Sequence, residues 1–196
     1  MVRRIGGIDY SLTCPAVCIY TGEKENFNFE SCMVFFLANQ KKYEDFQYKN
    51  IEGSLQIKNY SIAEERYDFI SDWAMDILIS NDITDVAIED YSYGSQGKVF
   101  HIAENTGLLK WKIWQAEIEY KLLAPTVIKK FATGKGNANK EKMYESFLQE
   151  TSRNLHDELG ILAKFRIAGK SAKIGNPMSD IVDSYYICKM MLDSQE

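Results

Sequence analysis

The chain has 196 residues, 45% hydrophobic and 26% charged, with a formal net charge of -5. That length suits one domain spanning 1–196 with one sizeable core, and the balance excludes a disordered chain. No run approaches the ~18 consecutive apolar residues of a membrane-spanning helix, and an acidic chain is not built simply to coat nucleic acid.

Residues 3–10 ("RRIGGIDY") and 15–20 ("PAVCIY") read as two short strands joined by a turn at Ser11–Cys14, with a third strand around 27–37. Because "MVRRIGGIDY" runs directly into strand-like sequence, a cytoplasmic setting is expected, in a bacterium or a phage-infected host. A polar, tyrosine-rich connection reaches about Tyr60. Ser61 and Glu64 have the spacing of a capping box, and Ile62, Phe69, Ile70, Trp73, Ala74, Ile77 and Leu78 then recur at helical spacing. "TDVAIEDY" (84–91) is a short strand ending in two acids, a helix follows near 98–116, and "EYKLLAP" forms a fifth strand stopped by Pro125. A helical turn, the glycine-rich "TGKGN" and a helix carrying Met143, Phe147 and Thr151 come next. "GILAKFRIAGKSAKIGNP" reads as a loop or small insertion. In the closing helix Asn176 can cap and Pro177 suits the first helical position. The order predicts an α/β fold: a five-stranded mixed sheet, antiparallel in its first three strands and then parallel, with helices on both faces.

Cys14, Cys18, Cys32 and Cys188 form no CxxC and lie among apolar neighbours, so they read as reduced core thiols. With only His101 and His156 and no HxxxH, the histidines do not point to zinc; His156 reads as a surface residue, whereas His101 can approach a site. Charge is unevenly spread. From Lys121 to Lys142 there are six lysines against one acid, and Lys164, Arg166, Lys170 and Lys173 form a second cluster without any. Such a zone on an acidic body suits a bound polyanion, or simply two solvated loops.

Asp9 ends the first strand, Glu89 ends "VAIE", and Asp180 and Asp183 lie three apart near the start of the last helix, on one side. Taken singly, each has a plain structural explanation: a turn cap, a strand-end charge, complements to a helix dipole. Strand ends and helix starts commonly meet along one edge of an α/β sheet, where four carboxylates repel unless a cation neutralises them. Hard divalent ions such as Mg²⁺ take oxygen ligands, and two ions about 4 Å apart suit phosphodiester hydrolysis.

Four segments, in order, resemble the RuvC family of Holliday junction resolvases within the RNase H-like superfamily: "GIDYSLT", "VAIEDYSY", "PTVIKKFATGKGNANKEKM" and "SDIVDSYYIC". The resemblance spans residues 5 to 187 and implies that Asp9, Glu89, Asp180 and Asp183 are the catalytic metal ligands for two Mg²⁺ ions, with Mn²⁺ able to substitute. It carries Lys129 and Lys140 over as catalytic, DNA-contacting lysines. Lys130, Lys135 and Lys142 are expected on the DNA backbone, and Tyr91 and Tyr93 against unpaired bases. Tyr10 stands where the family has proline and Ser184 where it has alanine; such departures fit a phage or mobile-element member. The implied activity is endonucleolytic resolution of four-way DNA junctions by a homodimer, giving 5′-phosphate and 3′-hydroxyl ends. The helix near 98–116, with Trp111 and Trp114, is a candidate interface unless both tryptophans are core. Two alternatives stay open at this point: another RNase H-like nuclease acting on flaps, forks or RNA–DNA hybrids, and a non-catalytic module that binds DNA or protein.

Overall fold

A computed structural model describes residues 2–56, 59–90, 99–160 and 174–193. β1 (Arg3–Asp9) pairs antiparallel with β2 (Ala16–Gly22), and β3 (Met33–Ala38) extends that meander. Two short strands follow, β4 (Phe46–Tyr48) and β5 (Ile51–Leu55). Then come α1 (Ala63–Ser80), β6 (Asp85–Glu89), α2 (Val99–Gln115) and β7 (Glu119–Leu123). The chain continues as α3 (Pro125–Thr133), α4 (Lys140–Thr151), the single turn α5 (Leu155–Glu158) and α6 (Met178–Asp193). Among the described residues, no helix is long and apolar enough to cross a membrane.

The sheet runs β4-β5-β3-β2-β1-β6-β7. It therefore has seven strands rather than the expected five, because the polar connection before Tyr60 contains β4 and β5. β5 pairs parallel to β3, with Val34 opposite Ile51, and buries only Ile51 and Gly53. Two inward positions are too few to register as a period in the sequence. The other expected strands and long helices are present, except that the third strand starts at Met33 rather than near 27, after a 3-10 turn at Phe29–Ser31; β6 runs parallel to both β1 and β7.

Alternation along the strands separates two hydrophobic layers. Ile8, Val17, Ile19, Leu37, Val86 and Ile88 face α1 and α2, where they meet Ile70, Ala74, Leu78, Leu109 and Ile113. Ile5, Cys18, Tyr20, Phe36 and Ala87 face α3, α4 and α6, against Ile128, Phe147, Ile181, Tyr185 and Cys188. All four cysteines are buried and free, as expected. The expected Ser61–Glu64 capping box does not form: α1 starts at Ala63, its N-cap Ile62 makes no side-chain capping bond, and Ser61 N donates to Glu65 Oε2 at 2.7 Å.

At Gly7 the backbone of α6 lies directly against β1. A Cβ placed there would lie 2.5 Å from the Ser184 carbonyl oxygen and closer still to the Cys188 nitrogen, both backbone atoms of α6. No rotamer can relieve a clash with backbone. Gly7→Ala is therefore expected to destabilise the fold by at least about 2 kcal/mol, the upper range for overpacking. Urea unfolding measures this, and an unchanged midpoint would show that α6 does not sit on β1 as described.

Candidate active site

β1 and β6 are parallel neighbours in the register Ile8↔Ile88, so their last residues, Asp9 and Glu89, end side by side. Within each strand the alternation turns both toward the α6 layer: Ile5 and Ala87 share their faces, while Ile8 and Ile88 point the other way. Contact at Gly7 lays the start of α6 across this edge. Asp180, 4% exposed in the first turn of α6, and Asp183 one turn on meet Asp9, which is 8% exposed. The turn after Asp9 is closed by another residue: Ser11 Oγ accepts the Cys14 N–H at 3.1 Å. That removes the turn-cap explanation for Asp9.

Electrostatics records the convergence. Burial, followed by the charges of Asp180, Glu89 and Asp183, holds the Asp9 carboxyl well above the usual range, against an opposing pull from Lys140. Side-chain hydrogen bonds link Asp9 to Glu89 and to Asp180. Glu89 is raised by burial and Asp180, and lowered by Lys129 and Lys140. Burial pushes Asp180 up to about 6 despite Lys140 and hydrogen bonds from Asp9 and the Cys14 thiol. Asp183 is pushed up to about 7 by burial and by the charges of Glu89 and Asp180.

Two lysines flank the acids. Lys129 enters from α3, whose first residue, Pro125, is separated from the end of β7 by Ala124 alone. Lys140 opens α4, which Asn139 caps by accepting the Lys142 N–H at 2.9 Å. Lys140 Nζ donates to Ser179 Oγ at 2.9 Å, and that hydroxyl donates to Asn176 Oδ1 at 3.1 Å. Asn176 thus anchors the approach to α6, which begins at Met178, one residue later than Pro177 suggests. Lys130 and Lys135 are exposed beyond this pair, and Lys142 is engaged with Glu145 at 3.0 Å. In "TGKGN", Gly134 ends α3 in the left-handed region at φ 77°, and Thr133 Oγ1 accepts the Lys135 N–H. Tyr91 and Tyr93 lie outside the described residues, as does the 161–173 stretch with the second basic cluster. His156 is half-buried against Tyr144 rather than on the surface.

Among the described residues, no three His, Cys, Asp or Glu side chains form a ready-made ion cage. The donor set nevertheless fits a hard divalent cation. It is entirely carboxylate oxygen, and Asp180 Oδ2 is buried with no hydrogen-bond partner. A cation there would also reverse the mutual repulsion that lifts the four acids.

No protein-family model and no curated protein matches the sequence. Solved structures do match. Thermus thermophilus RuvC in complex with Holliday junction substrate is 14% identical, with 95% of this chain and 91% of that one covered and a TM-score of 0.59. The fold is that of RuvC. Fowlpox virus resolvase, in complex with its substrate Holliday junction DNA, shares it at 13% identity, covering 99% and 98% of the two chains with a TM-score of 0.52. The yeast mitochondrial Holliday junction resolvase Ydc2 does so at 12%, covering 98% and 81%, with a TM-score of 0.51.

On this RuvC fold, sequence alone missed Ser179, Cys14 and Gly7 as supports of the acids. Small and apolar-looking residues carry no chemical signal until α6 is placed over them.

The raised acids set a pH dependence. With Asp180 near 6 and Asp183 near 7 against an ordinary 3.8, the folded state binds protons that the unfolded chain has released. Their contribution to stability is fully present below about pH 4 and is lost as pH rises through 7. In EDTA, the wild-type urea midpoint should fall between about pH 5 and 8, with a shallower fall for Asp183→Asn. Identical slopes for the two proteins would remove Asp183 from the cluster.

Proposed function

We propose that the protein is a divalent-metal-dependent endonuclease that resolves four-way DNA junctions as a homodimer. The observation that carries this is the meeting of Asp9, Glu89, Asp180 and Asp183 at one sheet edge, flanked by Lys129 and Lys140. The RuvC fold supports the junction as substrate, since two of the similar structures hold Holliday junction DNA.

The four carboxylates would hold two Mg²⁺ ions, with Mn²⁺ able to substitute. Bound there, the metal supplies water activation and charge neutralisation for phosphodiester hydrolysis to 5′-phosphate and 3′-hydroxyl ends. The chain's own contribution is placement and charge. Burial and mutual repulsion hold the Asp9 carboxyl up, and a bound cation would offset that repulsion. Lys140, steadied by Ser179, and Lys129 offset the negative charge gathered between the acids and the DNA phosphate. The exposed Lys130 and Lys135 continue the positive surface along the backbone, with Lys142 at its margin and Tyr91 and Tyr93 assigned to unpaired bases.

Resolving a junction takes two symmetric cuts, which a two-fold dimer supplies. The tryptophans of α2 support that assembly. Trp111 and Trp114 are 53% and 63% exposed, with ring centroids 4.9 Å apart, and are not core residues. An exposed indole pair of this kind suits the centre of an interface.

Two measurements test this. Asp9→Asn should lower Mg²⁺-dependent cutting of a synthetic four-way junction by at least about 100-fold, in line with loss of a group that stabilises developing charge. Equal cutting by both proteins, or cutting of flaps and linear duplex as fast as of the junction, would sink the proposal. Trp111→Glu should shift the protein to monomer in sedimentation velocity and uncouple the paired cuts; an unaltered dimer places the interface elsewhere.

A further inference from the structure

Beside the acid centre opens a cavity of about 940 Å³, with Asp9 and Glu89 on one side and the starts of α1 and α2 on the other. Its lining also includes Tyr60, Arg66, Tyr67 and His101, which stand outside the acid and lysine cluster. Arg66 Nη2 donates to the Leu12 carbonyl at 2.5 Å and to Gln56 Oε1 at 2.9 Å. Both acceptors are neutral, and its Nε is buried without a partner. Among the described residues, Arg66 makes these bonds to neutral oxygens and no ion pair with a carboxylate. The Tyr60 ring lies 6.0 Å from this guanidinium, and its hydroxyl is also buried and unpartnered. The His101 ring is held through Nδ1 by the Tyr67 hydroxyl at 2.7 Å, and its Nε2 has no partner among the described residues.

A cation bonded to neutral oxygens, flat aromatic faces and unpaired polar atoms together ask for a ligand that is anionic, planar and polar at its edge. The volume lies within the ~300–1,000 Å³ usual for small-ligand pockets, ample for a nucleotide with some water. Continuity with the acid centre limits what arrives there to DNA next to the bond being cut. Within a duplex a base is stacked out of reach, so a nucleotide entering the cavity must be unpaired. We propose, resting on the nuclease reading above, that the cavity receives one unpaired nucleotide adjoining the scissile phosphate. Its base lies against Tyr60, its edge meets His101 Nε2, and its own phosphate sits at Arg66. This makes the cavity a sensor of junction opening, because a fully paired duplex has nothing to place in it.

The test is a cycle of affinities, measured in EDTA by fluorescence anisotropy with a labelled four-way junction. Tyr60→Leu should weaken binding roughly 5- to 150-fold, the span for losing one stacked base. Tyr60→Phe, which keeps the ring, should retain most of the affinity. An abasic site at one of the nucleotides flanking the cut should weaken the wild type to a similar degree. Combined with Tyr60→Leu, that abasic site should add little further loss, since both remove the same contact. Should Tyr60→Leu misfold by circular dichroism, His101→Ala, from an exposed side chain, provides the same cycle. Additive losses at every abasic position, with wild type still cutting the junction in Mg²⁺, overturn the pocket and leave the nuclease standing. A wild type that neither binds nor cuts any DNA overturns both.

Discussion

The backbone of α6 rests directly on β1 at Gly7, and the acidic centre depends on that contact. A helix normally stands off a sheet by the length of the side chains between them. Here the Ser184 carbonyl and the Cys188 nitrogen occupy the space that a Cβ of residue 7 would need. The start of α6 therefore comes down onto the strand ends, and Asp180 and Asp183 reach the level of Asp9 and Glu89. Ser184 fits the same constraint. It is fully buried, and its hydroxyl donates to the Ile181 carbonyl at 2.9 Å, so it packs where the family has alanine without leaving a polar atom unpaired.

Burial of four carboxylates together is unfavourable, and the surrounding residues offset it in two ways. Hydrogen bonds tie Asp9 to Glu89 and Asp180, and burial with mutual repulsion raises the acids' affinity for protons. Positive charge is also brought in, by Lys129 one turn into α3 and by Lys140 at the first position of α4. Both lysines come from the segment between the end of β7 and α4, so the basic run of the sequence and its scattered acids belong to one structural edge. Tyr10, the departure beside Asp9, has a simple cause. Its ring is 6% exposed in the layer under α1 and α2, and ties the segment after β1 to that layer.

The same edge separates two kinds of surface. Toward α3 and α4 it is lysine-rich and open. Toward the starts of α1 and α2 it is a concave wall of tyrosine, arginine and histidine. A bound polynucleotide strand would have its backbone governed by the first and its exposed bases by the second. Phosphate contacts of that kind fix register, whereas aromatic and edge contacts discriminate among structures.

Sequence by itself determined the strand-ending acids, the two-faced alternation of β1 and β6, the amphipathic helices and the basic run, because each is a local pattern of side chains along one element. It did not determine β4 and β5, whose three and five residues bury too little to show a period and are stabilised by pairing, β5 with β3 and β4 with β5. It suggested a capping box at Ser61 that does not form, because α1 starts at Ala63 with Ile62 at its N-cap. Nor could it decide that Arg66 would face uncharged oxygens, or that Trp111 and Trp114 would be exposed, since both follow from which side of a helix the rest of the protein covers. Only tertiary structure decided that Asp9 and Asp180, 171 positions apart in the chain, meet in one buried, hydrogen-bonded cluster. That outcome required a glycine at position 7, where the absence of a side chain, invisible as chemistry, lets one backbone lie on another.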